Sequence, residues 1–456
     1  TIGSLAGSGN VTLNANTLTT GGNNTSTSYS GVLSGTGGIT KQGTGTTTLS
    51  GTNTYTGESI IGAGKVILGN ASGLGAGNNL RVNATLDLGG FTVTKFSTIV
   101  QSGTVENGTI NMTGGLQFQH ATVGAVLSGT GFIRSIGSGN STFSAINTYT
   151  GATTVSAGTL SVTGSLAATS GVTVSSGATL AGSGSVFAAS STNDLTVNSG
   201  GFLAPGVAGA GTLTVNGDLI LNGTLNADIT GTTAGSGYDQ VVVTGDVTLG
   251  TNSAFDVAYS ASGNGNTFVL INNQGANGVS GTLSGVAQGG TLTSNSRSYQ
   301  TSYLGGTGND VTLTDNSAPV VTSGATGSVD ENAATSTVIY TVTATDADND
   351  ALTYSLTGTD ASLLDINAST GVVTLKASAD YETKSSYSFN VVATDTSSQS
   401  SSKAVTVSVN DLNDNTPVIT SGATGSVDEN VATSTVIYTV TATDADGTTA
   451  NNTLTY

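Results

Sequence analysis

Cysteine and tryptophan are absent from this sequence of 456 residues, and proline occurs only three times. Without cysteine, the chain can form neither a disulfide framework nor a thiolate metal site. Charged residues make up only 8% of the chain, whereas a disordered chain usually carries more charge and more proline. No apolar run approaches the roughly 18 residues that a membrane helix needs, so we expect no membrane insertion of this segment.

The abundant residues favour strands. Glycine occurs 67 times, and Thr, Val, Ile and Leu recur throughout, which predicts an all-β fold. The net charge of −18 argues against nucleic acid as a partner, because phosphate binding needs clusters of Lys and Arg. Residues 1–314 carry ten acidic and six basic side chains, whereas residues 315–456 carry seventeen and three. Acids kept for solubility alone would be scattered, so we expect the second part to use its carboxylates.

The first part of the chain repeats itself at a spacing of 94 residues. VLSGTG at residues 32–37 returns at 126–131, and NTYTG at 53–57 returns at 147–151. The alternating segments between these motifs are too short to bury a core in a single sheet. Stacked in coils of about 22 residues, they would share one continuous core. We therefore predict that residues 1–314 form a right-handed parallel β-helix, a solenoid of roughly fourteen coils.

This region resembles the passenger-associated repeat of bacterial autotransporters. The segments that carry the resemblance are GGITKQG at residues 37–43, LSGTNTYTG at 49–57 and LAPG at 203–206. Residues 211–218 and 238–241 are similar to the late passenger region of the same proteins. The resemblance covers most of residues 30–314. It implies an extracellular protein of the bacterial cell surface, associated with the outer membrane.

Catalysis is not expected in the solenoid. Polysaccharide-cleaving β-helices need paired carboxylates, or a metal with a basic residue, on neighbouring coils. Here the acids are spread singly along the chain, as at Glu58, Asp87 and Glu106, and His120 is the only histidine.

Two alternative functions stay open. The first is an enzyme acting on extracellular polysaccharide, which a carboxylate pair in a groove would favour. The second is a filament or surface-layer subunit, which symmetric contacts between copies would favour.

The second part of the chain contains another repeat, at an offset of 98 residues. Residues 320–348 recur at 418–446 with only two of 29 positions changed, and each copy follows a proline, Pro319 or Pro417. A unit of about a hundred residues with alternating segments suits an Ig-like sandwich. We predict one such domain at residues 315–416 and the N-terminal part of a second, truncated domain at 417–456.

Acidic motifs lie where the predicted strands of this part end, as at residues 330–332, 380–382 and 411–415. Spacings such as Asp-x-Glu place both carboxylates on one side of an extended chain. Ca²⁺ takes six to eight oxygen ligands from carboxylates, amides and carbonyls, which these motifs supply. Residues 315–456 are therefore predicted to bind calcium.

These motifs resemble the cadherin repeat, over about residues 318–456. Carried over, the resemblance implies a calcium junction between the two copies, built by Glu331, Asp380, Glu382, Asp411, Asn413, Asp414, Asn415, Asp444 and Asp446. It also implies a second, weaker site at Asp346, Asp348 and Asp395. The expected function is a non-enzymatic adhesion or structural fibre with Ca²⁺-stiffened joints. Its expected partners are a cell-surface or matrix protein or glycan, or copies of itself.

Overall fold

The computed structural model describes residues 1–261, 265–295, 297–448 and 450–456. It divides into two compact units, residues 1–315 and residues 316–456. Within the described residues the only helix is the 3-10 turn Ala361–Leu363, and the remaining elements are strands. The all-β prediction is confirmed.

The first unit consists of three sheets of stacked strands. The strands of each sheet are given below in spatial order, so that each strand is hydrogen-bonded to the next. The first sheet contains Thr27–Tyr29, Thr46–Leu49, Lys65–Leu68, Thr85–Asp87, Thr104–Glu106, Thr122–Val123, Asn140–Phe143, Gly158–Val162, Ala178–Gly182, Phe202–Pro205, Thr224–Ile229 and Ala254–Tyr259. The second contains Leu18–Thr20, Ile39–Lys41, Ser59–Ile61, Asn79–Val82, Thr92–Gln101, Thr109–Gln119, Phe132–Ser135, Thr153–Val155, Val172–Val174, Asp194–Val197, Asp218–Leu221 and Val247–Leu249, with Val126–Gly129 beside Thr109–Gln119. The third contains Ile146–Asn147, Ser165–Leu166, Ser185–Val186, Thr212–Val215, Gln240–Val243, Thr267–Asn273, Asp310–Asn316, Arg297–Gly305 and Thr291–Ser294. A separate parallel pair, Val11–Thr12 and Leu33–Ser34, lies near the N-terminus.

The core of this unit follows from the alternation of side chains along each strand. In Lys65–Leu68 every second side chain is buried. Val66 pairs with Leu86 of the next coil, and Leu86 pairs with Val105 of the coil after it. All three are at most 1% exposed, and each such burial contributes about 1.5–3 kcal/mol. The stacked coils thus share one apolar interior, as the sequence predicts for a solenoid.

The 94-residue repeat places the same bend twice. Tyr55 and Tyr149 are both fully buried. The Tyr55 hydroxyl lies 2.7 Å from the Ser59 hydroxyl, and that of Tyr149 lies 2.5 Å from Thr153 Oγ1. One module is therefore used at two levels of the solenoid.

The coil count differs from the expected fourteen. Only twelve strands stack in the first sheet. The coils vary in length, and some are longer than the expected length of about 22 residues. Val105 pairs with Val123, 18 residues on, whereas Leu225 pairs with Phe255, 30 residues on. In addition, Thr267–Asn273 pairs antiparallel with Asp310–Asn316, which ends the parallel stacking.

The second unit contains a sandwich of a four-stranded and a three-stranded sheet. The four-stranded sheet runs in the order Thr326–Asp330, Ser400–Asn410, Ser386–Thr394 and Thr353–Thr357. The three-stranded sheet runs Val338–Thr341, Val372–Leu375 and Leu364–Ile366. Val320–Val321 pairs with Ala344–Thr345, and Val418–Ile419 pairs with Ala442–Thr443. Buried residues such as Val373, Phe389 and Val407 form the core between the two larger sheets.

The two copies of the 98-residue repeat differ in burial. Ile339 and Tyr340 are 4% and 8% exposed, whereas their equivalents Ile437 and Tyr438 are 62% and 41% exposed. In the first copy this face is covered by strands of residues 372–410, and residues 417–456 repeat only the part of the copy that precedes those strands. The same amino acids are therefore buried in one copy and exposed in the other.

Candidate metal centre

Two groups of three carboxylates lie between the copies, and Glu382 belongs to both. In the first group, one oxygen each of Glu331, Glu382 and Asp414 lies within 4.8 Å of the others. In the second, Glu382 meets Asp411 and Asp446 within the same distance. Separate segments of the chain thus meet at this point.

Glu331 is held in place from two sides. Its carboxylate accepts a hydrogen bond of 2.9 Å from the Tyr381 backbone N–H and another from the Leu412 N–H. Glu331 is only 2% exposed. Its charge is therefore fixed between the 380–382 motif and the 411–415 linker.

Asp411 and Asp446 each present one oxygen that the protein leaves unsatisfied. Asp411 Oδ2 accepts from Thr448 N–H at 2.7 Å, and Asp446 Oδ1 accepts from Asn415 Nδ2 at 3.0 Å. The other oxygens, Asp411 Oδ1 and Asp446 Oδ2, are buried without a hydrogen-bond partner. Leaving such an acceptor buried and unpaired costs about 1–3 kcal/mol, more for a charged group. The arrangement suits a hard cation that binds oxygen.

The crowding changes the ionisation of Glu382. Partial desolvation raises the pKa of its carboxyl, and the negative charges of Glu331 and Asp414 raise it further, against hydrogen bonds that lower it. Like charges this close repel one another, the more strongly the less water lies between them. A divalent cation among these groups would reverse that repulsion.

The remaining predicted ligands are placed less directly. Asp380 turns to its own loop, where it accepts hydrogen bonds from the backbone and hydroxyl of Thr383 at 3.1 and 2.8 Å. Asp444 accepts from the Asp446 N–H at 3.3 Å, and Asn413 donates to the Asn451 carbonyl at 3.3 Å. Neither Asp380 nor Asp444 belongs to the two carboxylate groups found among the described residues.

The weaker predicted site is arranged differently. Asp348 accepts from the Ser317 N–H at 2.6 Å, and Asp395 accepts from Asn316 Nδ2 at 3.2 Å. Within the described part of the chain, no group of three carboxylates forms here. Asn316 and Ser317 occupy the positions that correspond to Asp414 and Asn415, 98 residues later. The linker at the weaker site therefore supplies one carboxylate fewer than the linker between the two copies.

Three residues of the junction were not predicted from the sequence. The Asn332 amide donates to Asp414, the Thr448 N–H donates to Asp411, and the Asn451 amide donates to the Asp411 carbonyl at 3.0 Å. Asn332 carried a signal in the sequence, because it directly follows Glu331 within the motif of residues 330–332. In the structure it adopts φ +60°, a conformation that Asn tolerates.

The solenoid also contains a charge cluster that the sequence did not predict. Asp87 and Glu106 pair in register on adjacent coils, and Lys65 Nζ contacts their carboxylates at 2.9 and 3.0 Å. The expectation that all acids of the solenoid stand alone is therefore wrong. Burial raises the pKa of Asp87, but hydrogen bonds from Lys65, the Gly89 N–H and Asn107 outweigh it, and the net pKa is lowered. Asp87 is thus unsuited to be a general acid, which needs a raised pKa.

Comparison with known proteins finds a family match within each of the two units. The family profile of the cadherin domain matches residues 325–410, and that of the passenger-associated-transport-repeat matches residues 39–68 and 136–162. Mouse cadherin-related family member 2 is 35% identical over 114 residues, 25% of this chain and 9% of that protein. Mouse protocadherin Fat 4 is 36% identical over 125 residues, 26% of this chain and 2% of that protein. The chain thus spans less than a tenth of either relative.

Solved cadherin structures align with part of the chain. Mouse cadherin-23 EC22-24 is 31% identical with a TM-score of 0.28, over 29% of this chain and 46% of that chain. Human protocadherin-24 EC1-2 is 28% identical with a TM-score of 0.27, over 30% of this chain and 63% of that chain.

The two family matches confirm the expected order, a passenger-associated repeat followed by a cadherin domain. Both families are adhesive or structural rather than enzymatic, and together they imply an extracellular or cell-surface protein. Cadherin domains generally bind Ca²⁺. Among the described residues, no helix is long and apolar enough to cross a membrane.

Proposed function

We propose that the chain is part of an adhesion or structural fibre of a bacterial surface, in which calcium stiffens the junction between the two cadherin-like copies. The domains would span residues 315–416 and 417–456, and the solenoid of residues 1–314 would act as a non-catalytic rod. The fibre would be associated with the outer membrane and would contact a surface or matrix protein or glycan, or copies of itself.

One observation carries the calcium proposal. Glu382 lies in both carboxylate groups, and the second group contains buried oxygens of Asp411 and Asp446 that have no hydrogen-bond partner. Ca²⁺ would draw ligands from both groups, with Asn413, Asp414, Asn415 and Asp444 completing the set. Asp380 would join it by turning away from Thr383. Asp346, Asp348 and Asp395 would hold a second ion more weakly.

Thermal unfolding with calcium or chelator tests the proposal. Extracellular modules bind Ca²⁺ with Kd near 10⁻⁴–10⁻³ M, and a hundredfold excess over Kd adds about 2.7 kcal/mol per site. We expect the melting temperature of the unit 316–456 to rise by several degrees with calcium. Glu382→Gln should remove most of the rise, because it takes a carboxylate from both groups.

Asp428→Asn is the matched control, since Asp428 is exposed and lies outside both groups. It should leave the calcium response unchanged. Equal melting temperatures with calcium and with chelator, or a Glu382→Gln variant that responds like the parent, would remove calcium from the proposed function.

A further inference from the structure

The solenoid carries a pair of exposed aromatic rings at one corner of its second sheet. Phe96 and Phe132 are 58% and 46% exposed, and within the part of the chain that the structure describes they are the only exposed phenylalanines. Leaving such apolar area in water is unfavourable by about 25 cal/mol per Å². Isolated exposed apolar residues are ordinary, but two rings over one site call for a physical explanation.

The two rings cover adjacent glycines. A Cβ at Gly114 would lie 2.9 and 3.0 Å from two ring carbons of Phe96, and a Cβ at Gly115 would lie 2.6–2.8 Å from three ring carbons of Phe132. The nearly equal distances at Gly115 mean that the flat side of the ring faces the backbone, because an edge would place one carbon much closer. The opposite side of the Phe132 ring therefore faces outward. Both positions must be glycine for the rings to lie this close.

The rings are spaced by the fold. Phe96 lies in the strand Thr92–Gln101, the glycines lie in Thr109–Gln119, and Phe132 begins Phe132–Ser135, so the rings are two strands apart. Adjacent strands are about 4.8 Å apart, so the backbones that carry the two rings are about 9–10 Å apart along the stacking direction, and both rings lean over the strand between them.

Polar side chains adjoin the rings on the same face. Phe132 and Arg134 are exposed while Ile133 and Ser135 are buried, so both point outward. Gln117 pairs with Arg134 in register on the neighbouring strand. Arg134 Nε donates to Ser156 Oγ at 3.1 Å, and within the described residues no carboxylate forms an ion pair with it. In a chain with 27 acidic and nine basic residues, an arginine without an acidic partner lacks its charge complement.

We propose that Phe96, Phe132, Gln117 and Arg134 form a binding surface for an extended carboxylated polysaccharide. The outward ring faces would pack against the C–H faces of the sugars, since the π face of an aromatic ring carries partial negative charge. Arg134 would hold a sugar carboxylate in a bidentate contact, and Gln117 would bond to hydroxyls. A protein partner is less suited, because a stable interface buries about 800 Å² on each side, more than two aromatic side chains of about 150–250 Å² each can supply. The inference does not depend on the calcium junction.

Calorimetric titration of the whole chain tests the surface, with an oligogalacturonate and an alginate oligosaccharide as carboxylated probes. The fully methyl-esterified oligogalacturonate is the neutral probe, because it keeps the sugars and removes the charge. All titrations are run in chelator, so that calcium cannot bridge protein and polyuronate. We expect binding of a carboxylated probe, and at least tenfold weaker binding of the methyl ester.

Variants separate the contribution of the two aromatic rings from that of the Arg134 charge. The double change Phe96→Ala and Phe132→Ala should weaken binding of every probe at least tenfold, and Arg134→Gln should abolish the preference for the acid over the ester. Val207→Ala with Leu304→Ala removes exposed apolar side chains elsewhere on the same unit and should change nothing. Unaltered melting temperatures establish that the variants are folded.

Three results would overturn the inference: no binding of either carboxylated probe, equal binding by the parent and the double phenylalanine variant, or equal binding of acid and ester. Self-association of the parent chain that the double variant loses would assign the rings to a second copy instead, and would also overturn it.

Discussion

At the scale of single residues, the solenoid contains a buried carboxylate whose ionisation is measurable. Asp239 is 3% exposed and accepts hydrogen bonds from the backbone N–H groups of Gly211 and Asp228, at 2.6 and 2.9 Å. Burial raises the pKa of Asp239 to about 6, against the lowering effect of those two hydrogen bonds. As the pH is lowered, Asp239 therefore takes up a proton at a higher pH in the folded state than in the unfolded chain.

The sign of the resulting pH dependence follows from that order. Between pH 7 and pH 5 the folded protein binds the proton of Asp239 while the unfolded chain does not, so this group makes the folded state more stable as the pH falls. We expect a gain on the order of 1 kcal/mol at pH 5. The difference between the parent chain and Asp239→Asn, measured by urea unfolding at both pH values, isolates this effect. Parallel pH dependences of the two proteins would contradict it.

At the scale of the strand and its coil, a buried asparagine connects three levels of the solenoid. Asn147 Oδ1 accepts from the Leu127 N–H at 2.9 Å, and Asn147 Nδ2 donates to the Ser165 carbonyl at 3.1 Å. Asn53 makes equivalent bonds to Leu33 and Gly73, at 2.8 and 2.7 Å. At these bends the asparagine amide makes the hydrogen bonds between coils that the backbone makes within the strands.

Removing this connection should be costly. Asn147→Ala leaves buried backbone groups unpaired, and we expect a loss of about 2–4 kcal/mol in the free energy of unfolding. Asn140→Ala is the control, because Asn140 is exposed at the edge of a nearby strand, and its effect should stay within about 0.5 kcal/mol. If urea unfolds both variants at the same midpoint, the connection is not a source of stability.

At the scale of the whole molecule, the two units should respond differently to calcium. Every carboxylate of the two groups lies in residues 316–456, and unit 1–315 has a separate apolar core. We expect calorimetry of the full chain to resolve two transitions, of which calcium raises only one. Glu382→Gln identifies the calcium-sensitive transition. In this variant, that transition in calcium should occur near the temperature at which it occurs in chelator. A calcium shift of both transitions would contradict this assignment.

Protons should compete with calcium at the junction, because the pKa of Glu382 is raised and a protonated carboxyl has lost the charge that attracts a cation. The calcium shift should therefore shrink as the pH is lowered from 7 to about 4.5, the ordinary value of a Glu carboxyl. Titrating calcium at several pH values measures this. An unchanged shift at pH 4.5 would exclude Glu382 as a ligand.

The sequence by itself determined the fold class and the order of its parts. Period-two alternation and the repeats at 94 and 98 residues are local properties of the chain, and they predicted both the stacked strands of the first unit and the sandwich of the second. The resemblance to a known repeat also named the members of both carboxylate groups, Glu331, Glu382 and Asp414 with Asp411 and Asp446, because the motif order of such a repeat carries three-dimensional information.

Only the tertiary structure decided which side chains of different coils became neighbours. The spacing between paired residues on successive coils varies from 17 to 30 along the solenoid, so register cannot be counted from the sequence. That is why Asp87 and Glu106 looked isolated, and why Phe96 and Phe132 gave no signal. The same limit applies to burial: Tyr340 and Tyr438 occupy identical sequence positions in the two copies, and the strands packed against each one set its exposure.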